Sequence, residues 1–210
     1  MLPFGRNHLR NEMNLLKERE FMKKMNTRMF VTVGMLSAIS YVLMLFNFPI
    51  PPFPKFLMVD FSDVPALIAT VTLGPLAGIL VELFKNVIDY VMTGSDTGVP
   101  IGHAANFIAG VLLILPTYYI YSRSQSKKGL LIGLITGTVV MSISMGILNY
   151  FVFLPAYKYF MNFELPAEII ITGIVPFNIL KGILITTVFT LLFVRLQGWL
   201  SRQVAFNKAA

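Results

Sequence analysis

Four polar residues, Glu82, Lys85, Asn86 and Asp89, sit in an otherwise apolar run at spacings i, i+3, i+4 and i+7. That spacing puts all four on one helix face. Ionisable groups within a membrane span are costly, so by default they mark a functional site. The stripe also fits an internally paired face, Glu82 with Lys85 or Asn86 and Lys85 with Asp89, that holds a bundle together. A second pair, Asn178 and Lys181 in Pro176-Phe-Asn-Ile-Leu-Lys-Gly182, is three apart and shares a face. Its purely structural alternative is a buried ion pair between Lys181 and Glu82. Asn106 and Asn149 stand in two further apolar runs. A lone Asn in a span often does no more than bond a neighbouring helix.

The scaffold that must hold these groups is written in the composition. The 210 residues are 56% hydrophobic and 13% charged, whereas soluble domains carry about 25% charged residues. This is a membrane composition. The absence of cysteine removes disulfide scaffolds, iron–sulfur centres and thiolate zinc sites. With only His8 and His103 present, a multi-histidine metal site is excluded and none is expected. The net charge of +7 does not point to nucleic acid, because thirteen of the 17 Lys/Arg residues lie in the two tails and the 122–128 loop. In a membrane protein such asymmetry sets orientation.

Apolar runs predict six membrane-spanning helices in an all-α fold, at about 29–46, 63–74, 75–92, 103–121, 129–154 and 168–192. A basic tail over 1–28 precedes the membrane domain of 29–200, and a second tail follows over 201–210. The first run is too long for the apolar core of a signal peptide. Residues 47–54 contain four prolines and cannot be helical, since each proline lacks an N–H and fixes φ. They form a loop after the first helix, and Ser62 or Asp63 should cap the second helix, opened by Pro65. With six spans, both tails and the 122–128 loop share one side. The other side carries only Lys55 and Lys158, beside Asp60, Asp63, Asp96, Glu164 and Glu168. The positive-inside rule then places both termini in the cytoplasm.

Spans three and five run outward and spans four and six inward, so the polar groups collect in the outer half of the bundle. A pore would need them along its whole depth; a pocket open to the outside would not. The Pro-rich extracellular loop and the Gly-rich 93–102 loop would close that pocket as lids. Asn side chains suit hydroxyls and heterocycle edges. One amine without an Arg cluster argues against a highly phosphorylated ligand. Phe53, Phe56 and Leu57 suit a flat apolar ring. The residues alone reach a medium-sized, partly aromatic, polar-edged solute. No G-x-x-x-x-G-K-[ST] segment occurs, so uphill transport requires ion coupling or an ATPase partner. Gly34 and Ala38, four apart on the first helix, fit either a partner helix or internal packing.

Six segments together resemble a known family. They are Phe56-Leu-Met-Val-Asp-Phe-Ser-Asp-Val-Pro65, Gly74-Pro-Leu-Ala-Gly-Ile-Leu-Val-Glu-Leu-Phe-Lys-Asn86, Thr93-Gly-Ser-Asp-Thr-Gly98, Ala105-Asn-Phe107, Asn149-Tyr-Phe-Val-Phe-Leu-Pro155 and Pro176-Phe-Asn-Ile-Leu-Lys-Gly182. In this order, over about 27–200, they resemble the riboflavin-specific S components (RibU type) of energy-coupling factor (ECF) transporters. The resemblance implies a bacterial multi-pass protein of the cell membrane that binds riboflavin with high affinity as transported ligand. It implies neither catalytic residues nor a cofactor. Carried over by position, it singles out Leu57, Asn106, Asn149, Asn178 and Lys181 at the ligand, with Phe56, Asp60, Glu82, Asn86, Gly98 and Val99 as a second group. The family's first helix meets a transmembrane coupling protein through a small-xxx-small motif, typically Ala-xxx-Ala. Here the motif reads Gly34-x-x-x-Ala38, which keeps the smallness. Two ATPases complete the implied energy-coupling module, and the subunit topples in the bilayer to deliver its ligand inward.

Two other readings remain at this point. A stand-alone ion-coupled secondary carrier would show repeated halves and broken helices at midplane, and no convincing repeat is found. A small membrane enzyme using Glu82 or Asp89 as general base would need a nucleophile or metal beside the acid. Riboflavin and flavin mononucleotide are not separated by the sequence, since one lysine tolerates a single phosphate.

Overall fold

The computed structural model describes residues 27–54, 56–95, 98–162 and 166–209, with backbone alone at 28 and 196–209. The basic segment to residue 26, Lys55, Asp96 and Glu164 lie outside the described residues. Two units, Met1–Thr32 and Val33–Ala210, divide the chain, and all packing below belongs to the second.

Six helices stand among the described residues: α1 (Thr27–Leu45), α2 (Asp63–Leu73), α3 (Pro75–Thr93), α4 (Ile101–Ser124), α5 (Lys127–Met161) and α6 (Ile170–Ile174 continuing as Val175–Ala209). The segments Ile101–Ser124, Lys127–Met161 and Ile170–Arg195 are long and apolar enough to cross a membrane, with mean hydropathies of 1.5, 2.1 and 2.0. Between α1 and α2 the Pro-rich loop forms a two-residue antiparallel ribbon, Phe48 opposite Val59 and Pro49 opposite Met58. Its Phe53 ring meets Phe177 of α6 edge-on, centroids 5.6 Å apart.

The shortest helix is the most enclosed. At 11 residues, α2 is about 17 Å long at 1.5 Å per residue, roughly half a bilayer's apolar thickness. Its residues are nearly all buried, so protein rather than lipid surrounds it. Gly74 separates it from α3 with φ +102°, a backbone state that favours glycine, and Pro75 restarts the helix. The expected side-chain cap is absent: neither Ser62 nor Asp63 caps α2, and the Ser62 hydroxyl is committed elsewhere.

Helices α5 and α6 each continue through a proline. Pro155 and Pro176 each remove a backbone donor and crowd the preceding turn. Just before each, the helix widens into a π turn, Asn149–Phe153 and Ile170–Ile174. There the N–H of Leu154 reaches the carbonyl of Asn149, and that of Val175 reaches Ile170. The extra residue absorbs the proline without ending the helix. So α5 runs to Met161 rather than 154. Separately, α6 runs past its expected end at 192, and helix continues through 201–209, the segment read as a tail.

The closest helix contact joins α4 and α5. Side chains at Gly133 and Gly137 would collide with backbone of the facing helix: a Cβ at Gly133 would lie 2.8 Å from the Thr117 carbonyl, and one at Gly137 would meet the Leu113 carbonyl. Thr117 uses the closeness, its Oγ1 donating to the Leu113 and Gly133 carbonyls at 2.7 and 3.2 Å. Small residues at a seam drive helix packing where no hydrophobic effect operates. Gly137→Leu should therefore lower the thermal midpoint in detergent, at an overpacking cost of about 1–3 kcal/mol. A melting curve matching wild type would contradict this packing.

Candidate ligand cavity and its ion cluster

Inside the bundle, charged groups persist only where they compensate one another. Lys85 of α3 is fully buried. Its ammonium donates to Ser62 Oγ at 2.7 Å and to Asp63, and lies 2.9 Å from Glu82 Oε2. From α6, Lys181 reaches the same aspartate, with Nζ 3.2 Å from Asp63 Oδ2 and 3.7 Å from Asp60 Oδ2. Asp60 Oδ1 accepts the Ser62 N–H at 2.8 Å, and Ser40 of α1 donates its hydroxyl to the Ser62 carbonyl. Three carboxylates and two ammonium groups thus tie α2, α3, α6 and the turn before α2, with Ser40 attaching α1.

Of the pairings open in the sequence, Glu82 with Lys85 forms. Lys85 does not pair with Asp89, and Lys181 does not pair with Glu82; both lysines converge on Asp63 instead. Asp89 holds His103 Nε2 of α4 at 2.9 Å and accepts from Thr93 Oγ1 at 3.2 Å. Glu82 is fully buried against Gly110 of α4, where a Cβ would overlap its carboxylate. No aligned hydrogen bond reaches either Glu82 oxygen, so Lys85 holds it by charge.

Beside this cluster lies a cavity of about 240 Å³, near the low end of ligand sites at about 300–1,000 Å³. Leu57, Asn106, Asn149, Asn178 and Lys181 all line it, as do Phe56 and Asp60. Glu82, Asn86, Gly98 and Val99 do not line it. Glu82 serves the ion cluster behind the wall, and Asn86 donates to the Glu82 carbonyl one turn back at 2.8 Å. Gly98 shapes a turn at φ +66°, and Val99 packs on the apolar core. From the 93–102 loop region only Gly102 reaches the wall among the described residues.

Other wall residues had not been singled out. Asn47 lies just beyond α1, Tyr157 follows the α5 π turn, and Phe177 precedes Asn178. Gly102, Ala105 and Ala109 flank Asn106 on one α4 face. Their three- and four-residue spacing was a readable signal for a small-residue wall. Asp63 was readable only as a cap, yet it is the hub of the charges.

The asparagines are oriented by backbone. Nδ2 of Asn149 donates to the Met145 carbonyl at 2.7 Å, and that of Asn178 to Ile174 at 2.8 Å. Because a carbonyl only accepts, each amide must turn its nitrogen to its own helix. Asn106 Oδ1 is buried without a hydrogen-bond partner. On α1, Gly34 and Ala38 are exposed, and a Cβ at Gly34 would meet nothing within 4 Å.

Residues 27–193 match the family described as ECF transporter, substrate-specific component. The chain is 50% identical over 184 residues to the riboflavin transporter FmnP of Bacillus subtilis, covering 85% of this chain and 97% of that protein. It is 48% identical over 188 residues to the riboflavin transporter RibU of Staphylococcus aureus, covering 88% and 97%. A solved S component of a bacterial ECF transporter superposes with a TM-score of 0.74 at 48% identity, covering 82% of this chain and 97% of that one.

The cluster makes a direct prediction. Lys85→Met strands Glu82 and leaves Asp63 with Lys181 alone, without touching the cavity wall. Unfolding of the ligand-free protein should become easier by about 3–5 kcal/mol, the cost of breaking a buried pair. Denaturation in detergent checks this, and a loss under about 1 kcal/mol, the range of exposed pairs, would contradict it.

Proposed function

Because the chain belongs to the substrate-specific components of ECF transporters, which are multi-pass membrane proteins, we propose that it is the riboflavin-binding subunit of a vitamin uptake system. The observation that carries this reading is the convergence of Leu57, Asn106, Asn149, Asn178 and Lys181, from four separate segments, on one cavity. Relatives named riboflavin transporters, at 50% and 48% identity, supply the ligand. Phe56, Leu57 and Phe177 offer apolar surface to a flat ring system, and the asparagines offer hydrogen bonds to its edge and polyol chain.

The subunit binds ligand and performs no chemistry on it. Both termini face the cytoplasm, the Pro-rich loop covers the cavity from outside, and energy comes from a transmembrane coupling protein with two ATPases. The exposed Gly34-x-x-x-Ala38 stretch of α1 is the docking strip for the coupling protein, since small residues let a second helix approach. Family membership disfavours the stand-alone ion-coupled carrier.

Detergent-purified protein should quench flavin fluorescence on titration with riboflavin. Asn149→Ala and Asn178→Ala each remove hydrogen bonding to the ligand. A lost bond of about 1–3 kcal/mol weakens affinity about tenfold to a hundredfold. If wild type binds no flavin, or both variants bind like wild type, the reading fails. Gly34→Leu should keep riboflavin affinity while uptake by the assembled transporter collapses. Unimpaired uptake would remove α1 from the interface.

A further inference from the structure

Asp89, the last member of the α3 stripe, belongs neither to the ion cluster nor to the cavity wall. It stands near the end of α3 and holds His103 in the first turn of α4, Oδ2 to Nε2 at 2.9 Å. A carboxylate only accepts, so Nε2 carries the hydrogen. The pair is shielded, its side chains 15% and 13% exposed. Thr93 Oγ1 donates to the same carboxylate at 3.2 Å, and the Tyr90 ring meets the imidazole edge-on, centroids 5.5 Å apart. His103 Nδ1 is buried without a hydrogen-bond partner, so Asp89 is the polar anchor of the imidazole among the described residues.

The turn that this clasp pins is a piece of the cavity wall. Gly102, Ala105 and Asn106 flank His103 and line the cavity. Further along α4 the helix is fixed by close packing, Gly110 against Glu82 and Leu113 against Gly137. Asn106 lies about 6 Å before Gly110 and about 10 Å before Leu113, at 1.5 Å per residue. Ile101 holds the first turn by apolar burial, which is non-directional and leaves the rotation of the turn open. A hydrogen bond from His103 closes that freedom.

Asn106 depends on the helix more than the other wall amides do. Asn47, Asn149 and Asn178 each donate Nδ2 to a backbone carbonyl, at 3.0, 2.7 and 2.8 Å. Asn106 makes no such bond among the described residues, and its Oδ1 is buried without a partner. Its amide goes where the α4 backbone carries it. His103 and Asn106, three apart, lie on neighbouring sides of that backbone, one turned to α3 and the other to the cavity.

We infer that His103 is a positioning residue for the bound ligand: clasped to Asp89, it sets the rotation of the first α4 turn and so aims Asn106 into the cavity. The inference rests on the riboflavin reading and adds to it two residues that do not line the cavity. With the clasp closed, the amide is preset and riboflavin pays no ordering cost at this contact. With it broken, the fold stays and the contact loosens.

Fluorescence titrations of the full-length protein with riboflavin, beside melting curves of the ligand-free protein, test this. His103→Ala should weaken affinity about tenfold, the factor of one hydrogen bond whose buried partner is stranded. Asp89→Ala breaks the same bond from α3 and should do likewise, so the test survives poor folding of one variant. His103→Gln puts an amide N–H as many bonds from Cα as Nε2 stood, and should restore most of the affinity. Added to Asn106→Ala, either clasp variant should cost little more, because residues acting through one another are not additive. Unchanged affinity in whichever clasp variant folds, even with a lower melting midpoint, would overturn the inference and spare the riboflavin reading. Failure of His103→Gln to rescue, or full additivity with Asn106→Ala, would overturn it as well. If neither alanine variant folds, the clasp is a folding element and the inference falls. Wild type that binds no riboflavin would overturn both.

Discussion

Asp63 carries two lysines. Lys85 from α3 and Lys181 from α6 both end on its carboxylate, with Asp60 and Glu82 closing the charge around them. In a medium that solvates charge poorly, none of these five groups can leave without costing another a partner. The cluster therefore does what a continuous apolar core does in a soluble protein. It fixes the short helix α2, too short to cross a bilayer unaided, in the interior. It also fixes the relative heights of α3 and α6, because a lysine shifted by one turn, about 5.4 Å, would lose its partner.

The cavity is built on this anchor. Lys181 and Asp60 belong to both, with one flank in the ion cluster and the other on the cavity wall. On the remaining sides the wall depends on helix irregularity. The π turns that accommodate Pro155 and Pro176 place Asn149 at the start of one and Asn178 one turn beyond the other. A π turn shifts every later side chain around the helix by one residue's rotation, which sets the face on which Asn178 and Lys181 follow the second one. The small face of α4, Gly102, Ala105 and Ala109, leaves the volume.

Much of this was legible in the sequence, and the failures have physical causes. The α3 stripe was readable because helical periodicity fixes which residues share a face. Its partners were not, because spacing along one helix says nothing about which other helix will face it. Hence the Lys85–Asp89 and Lys181–Glu82 alternatives, and Asp63 mistaken for a cap. Pro155 read as the end of a helix because the local rule omits the π turn. The placement of Leu57, Asn106 and the other ligand candidates came from resemblance to a family; composition and spacing reached only a polar-edged aromatic solute. Asn47 and Tyr157 carried no signal of either kind.

The central claim is that the ion cluster and the ligand wall are one structure. Lys181→Met keeps the length of the side chain and removes its charge, so it separates the two possibilities. Riboflavin affinity and ligand-free thermal stability should be measured on the same preparation of this variant. The account predicts that both fall together, because the substitution leaves Asp60 without its ammonium partner, halves the positive charge facing Asp63 and also alters the wall. A variant that loses stability yet binds riboflavin like wild type, or loses binding with stability intact, would contradict it.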